Sequence, residues 1–117
     1  MVRGPLLLAG LLAAFLLIAC ARKEQAGGTL SNAEIEGQWR YDTRCAGCHE
    51  NPQPDLHKQP PNLHGLFIRT SLPSGAPVSD EQIRKTIIEG RGTMPAFDRY
   101  LRKEDVRDLV KYLHTLK

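Results

Sequence analysis

Apolar residues form one unbroken block near the start of the chain and recur at spaced positions after it. The block covers residues 6–19 and follows a single positive residue, Arg3. A helix of that length is too short to cross a bilayer, but it has the length of the apolar region of a secretory signal peptide. The pattern therefore predicts an export signal over residues 1–19.

Three later segments carry the apolar spacing of amphipathic helices. The first opens with a capping box, in which Ser31 is the N-cap and Glu34 stands three residues later. Residues four apart then form its apolar face: Ala33, Gly37, Tyr41 and Cys45. A glycine inside a helix costs about 1 kcal/mol relative to alanine, so Gly37 indicates a close contact with another helix.

The second and third helices lie in the C-terminal third of the chain. Ser79 opens the second with another capping box, and Gly90 is placed to end it. The third is predicted over residues 103–116, where Arg102 stands in place of a serine or aspartate cap. The apolar faces of the two helices are Ile83, Ile87 and Ile88, and Val106, Leu109, Val110, Leu113 and Leu116.

The segment between the first two of these helices is rich in proline. Residues 50–77 contain six of them: Pro52, Pro54, Pro60, Pro61, Pro73 and Pro77. Because proline lacks an N–H and interrupts helices, regular structure is not expected over most of this segment. A loop of this length is uncommon in a compact domain unless it wraps around something. The sequence therefore predicts an all-α domain of three main helices with long loops.

Composition limits the class of protein. The 117 residues carry 16 Lys+Arg against 13 Asp+Glu, a formal net charge of +3, which is too small a surplus to indicate a nucleic-acid-binding protein. The length allows one domain, and three cysteines exclude a scaffold held by several disulfides. Aromatic residues make up only 6% of the chain, so something other than side chains is expected to fill part of the interior.

The candidate chemistry lies in Cys45-Ala46-Gly47-Cys48-His49, the attachment pattern of c-type haem. On one helical turn both thiols can reach the vinyl groups of one porphyrin, and His49 can ligate its iron. Three other kinds of site contain two nearby cysteines. A zinc site has no second cysteine pair to complete it, a thioredoxin-like redox pair needs a βαβ setting, and a structural disulfide leaves His49 without a role. Export agrees with haem attachment.

A second axial ligand is available in Gly92-Thr93-Met94-Pro95-Ala96-Phe97, between the second and third helices. A thioether suits this role because it raises the reduction potential of haem iron. The alternative is that Met94 simply fills the core. Three histidines remain as other candidate ligands, and the strongest rival to Met94 among them is His64: His57, His64 and His114.

The end of the apolar block carries a further signal. Leu17-Ile18-Ala19-Cys20 resembles the bacterial lipobox, in which the cysteine becomes the lipidated first residue of the mature protein. Several acyl chains would anchor the protein firmly where one would not. We therefore expect a lipoprotein signal peptide at 1–19, a lipidated cysteine and flexible tether at 20–30, and a haem domain at 31–117. The protein would be exported and membrane-anchored, facing the periplasm or the outside of the cytoplasmic membrane.

With these motifs together, residues 31–117 resemble a class I monohaem cytochrome c of the small bacterial type. The resemblance implies one haem c per chain, attached through Cys45 and Cys48 and enclosed by the helices and long loops. It implies His49 and Met94 as the axial ligands of the iron.

The resemblance also assigns roles around the haem. Gly37 and Tyr41 would pack against Leu109 and Tyr112 of the last helix. The carbonyl of Pro61 would accept the axial imidazole N–H, and Arg69 would lie near a haem propionate. Residues 70–78 are proline-rich and depart from the family pattern, so no roles are carried over there.

Closed axial positions leave no site for a substrate, which predicts a one-electron carrier cycling between Fe(III) and Fe(II), without catalytic residues. It would shuttle electrons between membrane-associated redox proteins, with a reductase, oxidase or other cytochrome as donor and acceptor. One alternative is a fixed subunit of a larger respiratory or oxidising complex. Another is a haem peroxidase or gas sensor with Met94 displaced. Basic residues could steer the protein to an acidic partner: Lys58, Arg91, Arg99, Arg102 and Lys103.

Overall fold

A computed structural model of the chain describes residues 28–117. The predicted signal peptide, Cys20 and most of the tether lie outside the described residues. Four helices follow in order, α1 (Asn32–Arg44), α2 (Ala46–His49), α3 (Asp80–Glu89) and α4 (Lys103–Leu113), with a 3₁₀ turn at Leu66–Ile68. Extended pairing within residues 28–117 is limited to two isolated bridges. The prediction of an all-α fold is confirmed.

Helix α1 begins where its capping box predicts. The Ser31 hydroxyl accepts the Glu34 N–H at 3.3 Å, and the Glu34 carboxylate accepts the Ser31 N–H at 2.6 Å. These bonds to Ser31 lower the pKa of Glu34. Just before the helix, Leu30 packs against the core.

Helices α1 and α4 cross at Gly37, as the sequence predicts. A Cβ there would overlap the backbone carbonyl of Asp108 and lie 2.8 Å from the Cβ of Tyr112. Beside this contact the rings of Tyr41 and Tyr112 pack with centroids 5.4 Å apart. The buried apolar core among the described residues is Tyr41, Leu66, Ile83, Ile87, Val106, Leu109, Val110, Tyr112 and Leu113.

The prediction for the end of α4 is wrong by three residues. The helix stops at Leu113 instead of continuing to Leu116. The Thr115 N–H and hydroxyl both turn back to the carbonyl of Tyr112, and the carbonyl of Leu116 accepts the N–H of Gly65 at 3.0 Å. The last residues therefore bond to the long loop, and Leu116 still packs against the core.

Helix α4 begins at an N-cap residue, Arg102, whose side chain has no acceptor atom. Arg102 cannot cap the helix with an acceptor, but Asp105 accepts the Arg102 backbone N–H at 2.9 Å. The same carboxylate accepts the guanidinium groups of Arg102 at 3.1 Å and Arg40 at 2.6 Å. Asp105 is buried, and these bonds hold its pKa well below the usual range.

No helix within residues 28–117 has the length and apolar content that crossing a bilayer requires.

Candidate haem site

The two cysteines lie on one turn of backbone that joins α1 to α2. Cys45 ends α1 and begins α2, and its carbonyl accepts the N–H groups of Cys48 at 3.1 Å and His49 at 3.0 Å. Both thiols are free. Cys45 is half-buried against the core and burial raises its pKa to about 11, whereas Cys48 is exposed. The turn thus offers two uncrosslinked thiols and an imidazole.

The alternatives for this motif find no support in the described part of the chain. Cys45 and Cys48 are not joined, which a structural disulfide would need. No cluster of three or more His, Cys, Asp or Glu side chains within residues 28–117 is placed to hold a metal ion, as a zinc site would need. A thioredoxin-like βαβ unit is also absent from these residues, which form no named strand.

One hydrogen bond fixes the orientation and the tautomer of His49. Its Nδ1 lies 2.7 Å from the carbonyl oxygen of Pro61. Because a carbonyl can only accept, Nδ1 carries a proton, and in the neutral ring Nε2 therefore keeps its lone pair. That is the state in which a histidine ligates a metal, and the structure brings these two residues together across twelve positions of sequence.

Arg69 braces the loop that carries Pro61. Its Nη2 donates to the carbonyls of Asn62 and His64, each at 2.8 Å. Contact with a haem propionate stays a prediction, but the role of Arg69 within the protein is visible here: it ties the 3₁₀ turn to residues 62–64.

The rival histidines are engaged elsewhere or lie on the surface. His64 has Nδ1 3.3 Å from the carbonyl of Lys117 and Nε2 3.3 Å from the Glu50 carboxylate, which also accepts the Tyr41 hydroxyl at 2.9 Å. His114 stacks on Phe67 with ring centroids 3.5 Å apart, and its Nε2 lies 2.8 Å from Asp80. His57 is exposed.

Met94 lies in a short loop that is tied at both ends to α3. We call residues 90–97 the methionine loop. Arg91 and Met94 exchange two backbone hydrogen bonds of 3.0 Å, and the Phe97 N–H donates to the carbonyl of Ile87 at 3.1 Å. Met94 is half-buried and packs against the core. The backbone therefore fixes its position while its side chain remains partly accessible.

Sequence reasoning missed two residues that support this site. Gln53 donates from Nε2 to the carbonyl of Gly47 at 2.8 Å and so holds the loop after the motif against α2. The side-chain amide of Gln59 accepts the backbone N–H of Gln53 and donates to its backbone carbonyl, both at 2.7 Å. A glutamine in a loop gives no local signal for such a role. Glu50 adjoins the motif, but only the folded chain reveals its bond to Tyr41.

The residues present fit a covalently bound haem. They supply two free thiols on one turn, an imidazole with its Nε2 lone pair available, and a thioether on a fixed loop. Apolar side chains from several segments pack on the core yet stay partly exposed, as a large apolar ligand would require: Leu63, Phe67, Leu72, Val78, Ile88, Phe97 and Leu101.

The chain is similar to known proteins over most of the described domain. Residues 32–113 match the family described as cytochrome C oxidase, cbb3-type, subunit III. The chain is 31% identical to cytochrome c of Kluyveromyces lactis over 97 residues, which is 69% of this chain and 88% of that protein. It is 51% identical to cytochrome c of Ginkgo biloba over 35 residues, covering 30% of this chain and 31% of that protein.

A solved structure shares the fold. Cytochrome c6 from the diatom Phaeodactylum tricornutum aligns with a TM-score of 0.52 and 23% identity, covering 70% of this chain and 91% of that one. The matches over most of the domain, together with the thiols and imidazole on one turn, show that the chain belongs to the cytochrome c family: it binds haem c covalently and carries electrons rather than catalysing a reaction.

Proposed function

We propose that the protein holds its haem through thioether bonds from Cys45 and Cys48, with His49 and Met94 as the axial ligands. The haem supplies one-electron chemistry at its iron, and the chain's residues keep that iron closed to other molecules. The observation that carries this proposal is the 2.7 Å hydrogen bond between His49 Nδ1 and the carbonyl of Pro61.

His49 contributes a pre-oriented nitrogen. The bond to Pro61 holds the ring in one rotation and leaves Nε2 as the ligand atom, so little reorganisation is needed when the charge on the site changes. The Pro61 carbonyl also raises the basicity of the imidazole, which strengthens the ligand.

Met94 contributes a soft ligand at a fixed place. Thioether ligation favours the reduced state and raises the reduction potential. The two Arg91–Met94 backbone bonds and the Phe97–Ile87 bond limit how far the loop can move away. This favours a carrier over a peroxidase or gas sensor, which needs an open position.

The N-terminal residues suit a membrane tether. Lipidation of Cys20 after export would leave residues 21–30 between the anchor and the predicted haem domain. That tether could span at most about 3.5 Å per residue, so the domain would stay close to the membrane surface. We propose membrane-associated redox proteins as its donor and acceptor, and the basic residues, all exposed, as steering charges: Lys58, Arg91, Arg99, Arg102 and Lys103.

Ligand-directed variants test the axial assignment. The oxidised holoprotein should show the weak far-red band of methionine-bound ferric haem, and Met94→Ala should lose it and bind cyanide rapidly. The matched control is His64→Gln, which removes the rival ligand and should keep both the band and slow cyanide binding. A wild-type protein without the band, with slow cyanide binding in Met94→Ala and rapid cyanide binding in His64→Gln, would reverse the assignment.

Cys20→Ala tests the anchor. The wild-type protein should partition into detergent with a mass that includes acyl chains and begins at Cys20. The variant should lose both properties and keep its haem. An unacylated wild-type protein would refute the lipoprotein proposal without affecting the haem ligands.

A third experiment separates a free carrier from a fixed subunit, which the name of the matching family makes worth testing. After gentle detergent extraction and sizing, a free carrier should elute alone, whereas a subunit should elute with partner chains in fixed stoichiometry.

A further inference from the structure

We propose that Gly90 is a positioning residue for Met94, because the lack of a side chain at Gly90 lets the methionine loop rest directly on the end of α3. The proposal depends on the axial role proposed above for Met94, and it identifies the residue that determines where the loop lies.

The backbone of Gly90 occupies a conformation that other residues avoid. Its φ is 71° and its ψ is 175°, a region used almost exclusively by glycine. From this conformation its N–H donates to the carbonyl of Thr86 at 2.9 Å and ends α3, while the chain turns sharply into the loop.

The missing side chain of Gly90 makes room for the loop itself. A Cβ would lie 2.7 Å from the nitrogen of Ala96, 2.7 Å from the carbonyl oxygen of Met94 and 2.8 Å from the carbonyl carbon of Pro95. All three are backbone atoms, so no side-chain rotation can relieve the contact. A residue with a Cβ at position 90 must therefore push the segment that carries Met94 away from α3.

Hydrogen bonds on both sides of residues 94–96 oppose a local displacement of the loop. Arg91 and Met94 are paired by two hydrogen bonds, and Phe97 is bonded to Ile87 in the last turns of α3. Displacement at residues 94–96 consequently breaks one of these bonds or moves the Met94 side chain with the loop. Either result weakens its hold on the iron.

The chain provides two matched controls. Gly92 and Gly75 also have positive φ, 56° and 84°, but a Cβ at either position would meet nothing within 4 Å. Gly92→Ala strains the same loop without the contact, and Gly75→Ala strains a distant one. The comparison therefore separates the contact beneath the loop from the general cost of a positive φ.

The experiment uses the purified holoproteins of the wild type and the three glycine-to-alanine variants. Gly90→Ala should lose most of the far-red band, bind cyanide about tenfold faster or more, as the cost of overpacking against the loop backbone would give, and have a lower midpoint potential. Gly92→Ala and Gly75→Ala should keep the band and cyanide rates near wild type. Wild-type behaviour of Gly90→Ala, or an equal change in Gly92→Ala, overturns the inference.

A double variant distinguishes positioning from general damage. If Gly90 acts through Met94, Gly90→Ala/Met94→Ala should bind cyanide at the rate of Met94→Ala alone. A further increase overturns the inference. A wild-type protein without the far-red band would instead refute the axial role of Met94 itself, so the two failures are distinguishable.

Hydrogen exchange in the wild-type protein decides the matter should Gly90→Ala yield no holoprotein. The amides of Met94 and Phe97 should open together, at the rate that limits cyanide binding when cyanide is saturating. Independent opening of the two amides, or a limiting rate unrelated to it, overturns the inference.

Discussion

A single acceptor atom sets the tautomer of the neutral His49 ring, and its position depends on a residue that does not touch the histidine. Substitution at Pro61 cannot remove a backbone carbonyl. The carbonyl is held in place from the other side, where Arg69 donates to Asn62 and His64. At the residue scale, the orientation of the proposed axial ligand therefore depends on the Arg69 guanidinium.

We expect Arg69→Ala to lower the free energy of unfolding of the holoprotein by about 1 kcal/mol, less than a buried charged hydrogen bond contributes, because the side chain is exposed. The His49 ring N–H should also exchange faster with solvent, since the Pro61 carbonyl becomes less well held. Denaturant unfolding and NMR measure the two effects. Arg99→Ala is the control, because Arg99 is exposed and makes no hydrogen bond within residues 28–117. Equal effects in both variants would contradict this account.

At the scale of elements, Asp105 joins α1 to the first turn of α4. Its carboxylate is buried between Arg40 and Arg102 and also accepts the Arg102 N–H. Asp105→Asn leaves two guanidinium groups beside a neutral amide. We expect the free energy of unfolding to fall by about 2 kcal/mol, measured by denaturant unfolding at neutral pH.

The lowered pKa of Asp105 also predicts a pH dependence. A carboxyl group whose pKa is depressed on folding adds stability above its unfolded pKa, near 4, and that stability is lost as the pH falls toward the folded value. The wild-type protein should therefore lose stability below about pH 4, and Asp105→Asn should lose less over the same range. Glu104→Gln is the control, since Glu104 lies in the same turn but forms no ion pair in the described chain. A wild-type slope in Asp105→Asn would contradict the prediction.

Helix packing at Gly37 gives a second prediction for the elements. Alanine favours a helix over glycine by about 1 kcal/mol, but a Cβ at Gly37 would overlap the Asp108 carbonyl of α4. We expect Gly37→Ala to destabilise the holoprotein by about 1–3 kcal/mol through overpacking. Asp42→Ala is the control, because Asp42 is exposed on the same helix and alanine there also favours the helix, so it should not lower the melting temperature. A stabilising effect of Gly37→Ala would refute the close contact.

The elements also show what the sequence can predict. The starts of α1 and α3 were predictable because each cap bonds residues three apart. The end of α4 was not, because it depends on a bond between Leu116 and Gly65. The cap by Asp105 was missed because arginine is a poor N-cap and Arg40 lies far away in sequence. The haem motif could be predicted because its two thiols and its imidazole lie within five consecutive residues. The role of Gln53 could not, because its bond to Gly47 forms only when the loop is folded.

At the scale of the whole molecule, the net charge is only +3. The basic residues nevertheless differ in whether they form ion pairs. Arg102 is tied to Asp105, and Arg107 lies beside Asp108. Arg91 and Arg99 are exposed and flank Met94 in sequence, and neither forms an ion pair within residues 28–117. Their charge is therefore free to act on an approaching redox partner.

We expect this charge to govern the oxidation of the reduced protein by ferricyanide, an anionic one-electron acceptor. Arg99→Gln should slow the second-order rate by roughly twofold at low ionic strength, because positive charge beside the methionine loop raises the local concentration of an anion. The difference should disappear near 1 M salt, where the screening length is about 3 Å. Arg107→Gln removes the same net charge beside Asp108 and should change the rate less. Equal slowing by both variants would mean that net charge, and not the charge beside the methionine loop, guides the encounter, and a salt-independent rate would remove electrostatic steering altogether.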